Sequence, residues 1–99
     1  MDFTNYQREN ILRAHWGLIH EGNSLRERVV AGHRYLLRCS YANTKAEPKV
    51  NLILEMTNKI SNGDSSKITD EEIIVIADEI SELAMGLDKF VPASHAVKN

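Results

Sequence analysis

Two histidines and an arginine are the residues of this chain best placed to do chemistry. His15 and His33 each fall in the middle of an apolar stripe when the sequence is read at roughly 100° per residue. A turn at Gly22-Asn23 sets the first two segments antiparallel, which puts His15 near Val30 and His33 near Leu12, about one helical turn apart. Buried imidazoles resist charging and need hydrogen-bond partners. They can pair with each other, bond a backbone carbonyl, or hold a metal together with a carboxylate. No Asp or Glu occupies an expected core position, so a metal would lack its acid. The expectation is structural histidines, no metal site and no cofactor, with a ligand or metal carrier using His15 and His33 as an alternative.

Arg28 and His33 form R-x4-H. This pair resembles the active-site motif of the HEPN ribonucleases, a family of small helical bundles. The resemblance covers these two residues, and Val29 stands where a polar residue often follows the arginine. It implies an arginine that stabilises phosphate charge and a histidine that handles the proton. On a straight helix the two side chains point about 140° apart. Neither His33-Arg34-Tyr35-Leu36 nor His15-Trp16-Gly17-Leu18 carries the Lys-Gly pair that follows the histidine of a phosphotransfer domain. No nucleophile with a base, no phosphate-cradling glycine loop and no metal cluster is present in the pattern. The expectation is a protein that is not an enzyme.

Recognition chemistry is better supplied. Arg34, Tyr35 and Arg38 share the outer side of the second segment. Arginine binds carboxylates in a bidentate way, and arginine and tyrosine are enriched where binding energy concentrates. All six arginines precede residue 39 and all six lysines follow residue 44. Residues 1–45 hold seven basic and four acidic side chains, a net of +3, and residues 46–99 five and ten, a net of −5. Pairing between the two halves would explain that asymmetry, and so would steering of a partner. The chain is −2 overall with no reading element, which argues against nucleic acid. Ile74 and Met85 lie outside the core stripe of the last segment and mark a second candidate contact surface. Phe90-Val91 would extend that patch or seal the bundle end.

The elements that must position these groups announce their own starts. Thr4/Gln7, Ser24/Glu27, Thr44/Glu47 and Thr69/Glu72 each read as a capping box, and Ile68 and Ile73 as a hydrophobic staple. Pro48 suits a first helical turn. Gly22-Asn23 and Asn62-Gly63 read as stops, and Pro92 bars continuation of the last helix. The pattern predicts helices near 4–21, 24–42, 47–61 and 70–88, with no strand. The expected stripes are Ile11, Leu12, His15, Leu18 and Ile19, with Trp16 at its edge, then Leu25, Val29, Val30, Leu36, Leu37 and Tyr41. Val50, Ile53, Met56, Thr57 and Ile60 follow, then Ile73, Ile76, Ala77, Ile80, Leu83, Ala84 and Leu87. Four amphipathic segments on short links make an all-α, up-and-down four-helix bundle over residues 1–91, with a flexible tail at 92–99.

At 99 residues the chain has room for one core. No apolar run approaches the roughly 20 residues of a membrane span, and MDFTNYQREN has no secretory character. Cys39 is alone, which excludes an internal disulfide, and its place beside the apolar face suits an inert thiol. A cytoplasmic setting is expected. The functional expectation is a small non-enzymatic binding protein that modulates a macromolecular partner, of the inhibitor, immunity, antitoxin or adaptor kind. Its partner would be a protein, with self-association as a further possibility, through Arg34, Tyr35, Arg38, Ile74 and Met85.

Overall fold

The computed structural model describes residues 4–20 and 24–86. They form four helices and no strand: α1 (Asn5–His20), α2 (Leu25–Leu36), α3 (Glu47–Thr57) and α4 (Asp70–Met85). The turn at Gly22-Asn23, the Phe90-Val91 pair, the boundary at residue 91 and the tail at 92–99 lie outside the described residues. α1 packs most extensively on α2, while α4 touches each of the other three. α2 and α4 face each other across the core, and α1 and α3 occupy opposite flanks. This is the expected up-and-down four-helix bundle.

Three of the four predicted capping boxes form. The Thr4 backbone N–H donates to Gln7 Oε1 at 2.9 Å, and the Gln7 N–H donates to Thr4 Oγ1 at 3.1 Å. Ser24/Glu27 and Thr69/Glu72 close the same reciprocal pair at the starts of α2 and α4. Ile68 and Ile73 are both buried, as a staple requires. The fourth box does not form. Thr44 is buried and its hydroxyl donates to the Tyr41 carbonyl at 2.7 Å, so α3 starts after Ala46 with no side-chain cap. The Glu47 carboxylate instead accepts from the Asn43 N–H at 3.4 Å.

Two helices are shorter than their hydropathy pattern. α2 ends at Leu36 because the chain turns to bring Tyr41 into the core. The Leu37 and Arg38 N–H groups reach back three residues, to Arg34 and Tyr35, which tightens the last turn. Tyr41 then donates its hydroxyl to the Gln7 carbonyl at 3.3 Å, and burial pushes that phenol well above its ordinary range. Leu37, expected in the core, is 61% exposed as a result. α3 stops at Thr57, whose hydroxyl bonds back to the Ile53 carbonyl at 2.9 Å. Asn62 and Gly63 both have positive φ, at 52° and 81°, and form the centre of a tight turn. Ser61 and Asp64 exchange both backbone hydrogen bonds around it, at 3.1 and 2.8 Å.

The largest departure is the orientation of α1. Its buried residues are Asn10, Ile11, Ala14, Gly17 and Leu18. Leu12 and Ile19, expected to be buried, are exposed together with Trp16, and His15 is half-buried. The reason is the seam with α2. A Cβ on Gly32 would lie 2.7 Å from the Ala14 carbonyl oxygen, so the two backbones touch where side chains are smallest. A hydropathy stripe weights Leu and Ile, whereas close approach selects Ala14, Gly17 and Gly32. Asn10 is drawn inside with them and donates its amide to the Tyr6 carbonyl at 3.1 Å. The core that results joins Ile11, Val29, Leu36, Ile53, Ile76 and Ile80, all completely buried, to the staple Ile68.

Candidate partner-binding surface

Arg38 and Tyr35 come together at the carboxyl end of α2, with Arg34 in its last turn. Tyr35 is half-buried against the core, which fixes its ring. The Arg38 guanidinium stacks over that ring, 4.6 Å from its centroid. Arg34 is exposed and lays its guanidinium beside Gly63, where a Cβ would lie 3.2 Å from Nη2. It lines a shallow groove of about 220 Å³ with Arg26, Glu27, Val30, Ala31 and Ser65. Leu37, turned outward by the end of α2, puts an apolar side chain next to the pair.

What these arginines do not do is equally informative. Among the described residues, no carboxylate oxygen lies within 4.0 Å of Arg34 or Arg38. Arg26 shows what an internally committed arginine looks like in this protein. It donates to the Ser65 and Ile68 carbonyls and to Asp70, each at 2.7 Å, and so ties α2 to the loop before α4. Lys49 and Lys59 are committed in the same way. Lys49 bridges Glu79 at 2.7 Å and Glu82 at 3.6 Å, and Lys59 bridges Glu72 at 3.1 Å. Pairing between the two halves of the chain therefore uses Arg26 and Asp70, and leaves Arg34 and Arg38 out. Their position at the negative end of the α2 dipole favours them by about 0.3–1 kcal/mol. That explains cations here, but not their stacking or their groove.

The histidine chemistry looks different in three dimensions. His33 is buried, and its Nδ1–H donates to the Val30 carbonyl at 2.5 Å. Burial holds its pKa below the ordinary value of 6.5, with the Val30 bond opposing and the Arg34 charge adding to the effect. The Val30 bond commits Nδ1 of the ring to the backbone of its own helix. Arg28, on the same continuous helix, points away from it, and its buried Nε has no hydrogen-bond partner among the described residues. On a straight helix the two side chains of the R-x4-H spacing diverge by about 140°. His15 is half-buried on the far side of the α1–α2 seam. Among the described residues no three His, Cys, Asp or Glu side chains converge.

Ile74 and Met85 are exposed on α4, as the pattern of that helix suggested. The bonds from Lys49 to Glu79 and from Lys59 to Glu72 place α3 along one flank of α4. Ile74 and Met85 lie on the opposite flank, towards α1. Since α2 and α4 face each other across the core, their outer sides look in opposite directions. Arg34 and Arg38 therefore do not share a surface with Ile74 and Met85. Leu12, Trp16 and Ile19 form a separate exposed apolar stripe on α1. Sequence periodicity assigned that stripe to the core. The signal that would have exposed it was the alignment of Ala14 and Gly17 with Gly32 across the antiparallel pair.

Comparison with known proteins adds no functional residue: no family, no curated protein and no solved structure matches this chain. No helix among the described residues is long and apolar enough to cross a membrane.

Proposed function

We propose that this is a small non-enzymatic binding protein that modulates a macromolecular partner, of the inhibitor, immunity, antitoxin or adaptor kind. The observation that carries the reading is the exposed pair Arg34 and Arg38, the second stacked on Tyr35 and neither bonded to a carboxylate among the described residues. Two exposed guanidiniums beside an exposed Leu37 suit a protein surface with acidic groups around an apolar contact. The lone cysteine suits a reducing compartment, and the reading places the protein in the cytoplasm.

The test is affinity capture from the native host, followed by titration of the captured partner against variants. Arg34→Ala/Arg38→Ala is expected to weaken binding tenfold or more with little change in melting temperature, since exposed arginines contribute about 0–1 kcal/mol to folding. Arg34→Lys/Arg38→Lys should recover only part of the loss, because lysine lacks the bidentate fork. A partner that binds the double alanine variant as tightly as the wild type would remove these arginines from the function.

A further inference from the structure

The turn between α3 and α4 carries chemistry that the binding surface does not use. Asn62 and Gly63 stand at its centre, both exposed and both with positive φ, at 52° and 81°. The two backbone bonds that hold the turn run between Ser61 and Asp64, and both of those residues are exposed. Water competes for such bonds, so the turn opens locally without disturbing the core. Among the described residues the Gly63 N–H has no hydrogen-bond acceptor. Its nitrogen directly follows Asn62, and Gly63 has no Cβ to block approach to the Asn62 side chain. A free backbone nitrogen beside an exposed side-chain amide is the arrangement that closes a five-membered imide.

The other described asparagines each lack a part of this. Asn10 and Asn51 lie inside helices, where the next N–H is bonded to the preceding turn. Asn5 and Asn58 are followed by Tyr6 and Lys59, whose side chains crowd the attacking nitrogen. Asn43 also has positive φ, at 66°, but the β-branched Thr44 follows it and donates its N–H to the Tyr41 carbonyl at 3.1 Å. We propose that Asn62-Gly63 is a site of spontaneous deamidation in the folded protein. Hydroxide removes the Gly63 amide proton, and the nitrogen attacks Asn62 Cγ. The N–Cγ bond forms as the Cγ–Nδ2 bond breaks, and ammonia leaves with a proton returned by water. Water then opens the succinimide at either carbonyl. One opening gives aspartate, the other isoaspartate with the backbone routed through the side chain. Both products carry a carboxylate in place of the amide, which takes the net charge of −2 one unit further negative. That carboxylate forms next to Gly63, where a Cβ would lie 3.2 Å from Arg34 Nη2. The modification sets an anion beside an arginine of the proposed binding surface, and so goes beyond the partner-binding reading.

The test is incubation of the full chain in mildly alkaline buffer, with circular dichroism to show that it stays folded, then peptic digestion in acid and mass spectrometry. The peptide containing residue 62 is expected to gain about 1 Da. It should also split into two chromatographic species, one of them co-eluting with the same peptide from Asn62→Asp. Gly63→Ala and Asn62→Gln should each slow the gain at least tenfold, the first by hindering attack and the second by requiring a six-membered ring. The glutamine variant keeps an exposed amide in the turn, so it reads the reaction even if alanine at Gly63 disturbs the fold. The rate in the wild type should rise with pH, since the deprotonated nitrogen is the nucleophile. No mass gain at residue 62 in the folded chain would overturn the proposal, as would a gain equally fast in both variants. A single product co-eluting with the Asn62→Asp peptide would also overturn it, because direct hydrolysis passes through no ring.

Discussion

Replacing Gly32 with valine is expected to destabilise the protein by about 3 kcal/mol, and even alanine should cost about 1–2 kcal/mol. Helix propensity alone predicts the reverse for alanine, a gain of about 1 kcal/mol over glycine in a helix interior. The seam decides the sign. The added Cβ would sit 2.7 Å from the Ala14 carbonyl oxygen and 3.7 Å from the Leu18 nitrogen. Backbone cannot rotate out of the way as a side-chain tip can, so α1 and α2 must separate along their whole contact. Every core residue that spans them, Ile11, Leu18, Val29 and Leu36 among them, then loses packing. Urea denaturation of the wild type, Gly32→Ala and Gly32→Val measures this directly. A stabilised alanine variant would mean that the helices are not in backbone contact there.

Arg26→Ala is expected to cost about 2 kcal/mol, more than any other exposed or half-exposed charge in the chain. The exposed partner is not the reason, since Asp70 is almost fully in solvent and such pairs contribute little. The two carbonyls are the reason. Ser65 and Ile68 are buried residues, and their oxygens both accept from the same Arg26 nitrogen. Hydrogen bonds from a charged donor contribute about 1.5–3 kcal/mol where solvent cannot replace them. Losing them frees the loop that sets the start of α4. Arg26→Lys should restore less than half of the loss, because one ammonium cannot reach both carbonyls and Asp70 with a guanidinium's geometry. Chemical denaturation gives the energies. Asp70→Ala is the companion variant, and its expected effect is below about 1 kcal/mol.

These two residues also mark where the sequence was legible and where it was not. Helix starts were readable because a capping box is local: Thr4, Ser24 and Thr69 needed only a residue three positions on. Thr44 carried the same signature and failed, because its hydroxyl had a nearer acceptor in the turn made by Tyr41. The ends of α2 and α3 were overestimated for a related reason. Tyr41 and Ile60 continue an apolar pattern without continuing a helix, and only the tertiary fold shows that the chain bends to deliver them to the core. His33 was read correctly as a buried residue, since its position among Val29, Val30 and Leu36 leaves little choice. The orientation of α1 was not legible from hydropathy at all. Ala14, Gly17 and Gly32 matter through what they lack, and periodicity counts only what is present. Arg34, Tyr35 and Arg38 were chosen as candidates from residue type and helical spacing. Their separation from Ile74 and Met85 depends on how four helices close around one core, which single-helix geometry does not contain.

The orientation of α1 decides which of its apolar residues face solvent, and Trp16 reports on it alone, being the one tryptophan in the chain. Acrylamide quenching of Trp16 emission should be measured in the full chain. An α1 turned by the Ala14–Gly17–Gly32 seam leaves Trp16 in solvent against His20, whose ring centroid lies 4.8 Å away. The predicted result is a red-shifted emission quenched almost as efficiently as a free indole. A blue-shifted emission shielded from acrylamide would put Trp16 inside the bundle and contradict the account.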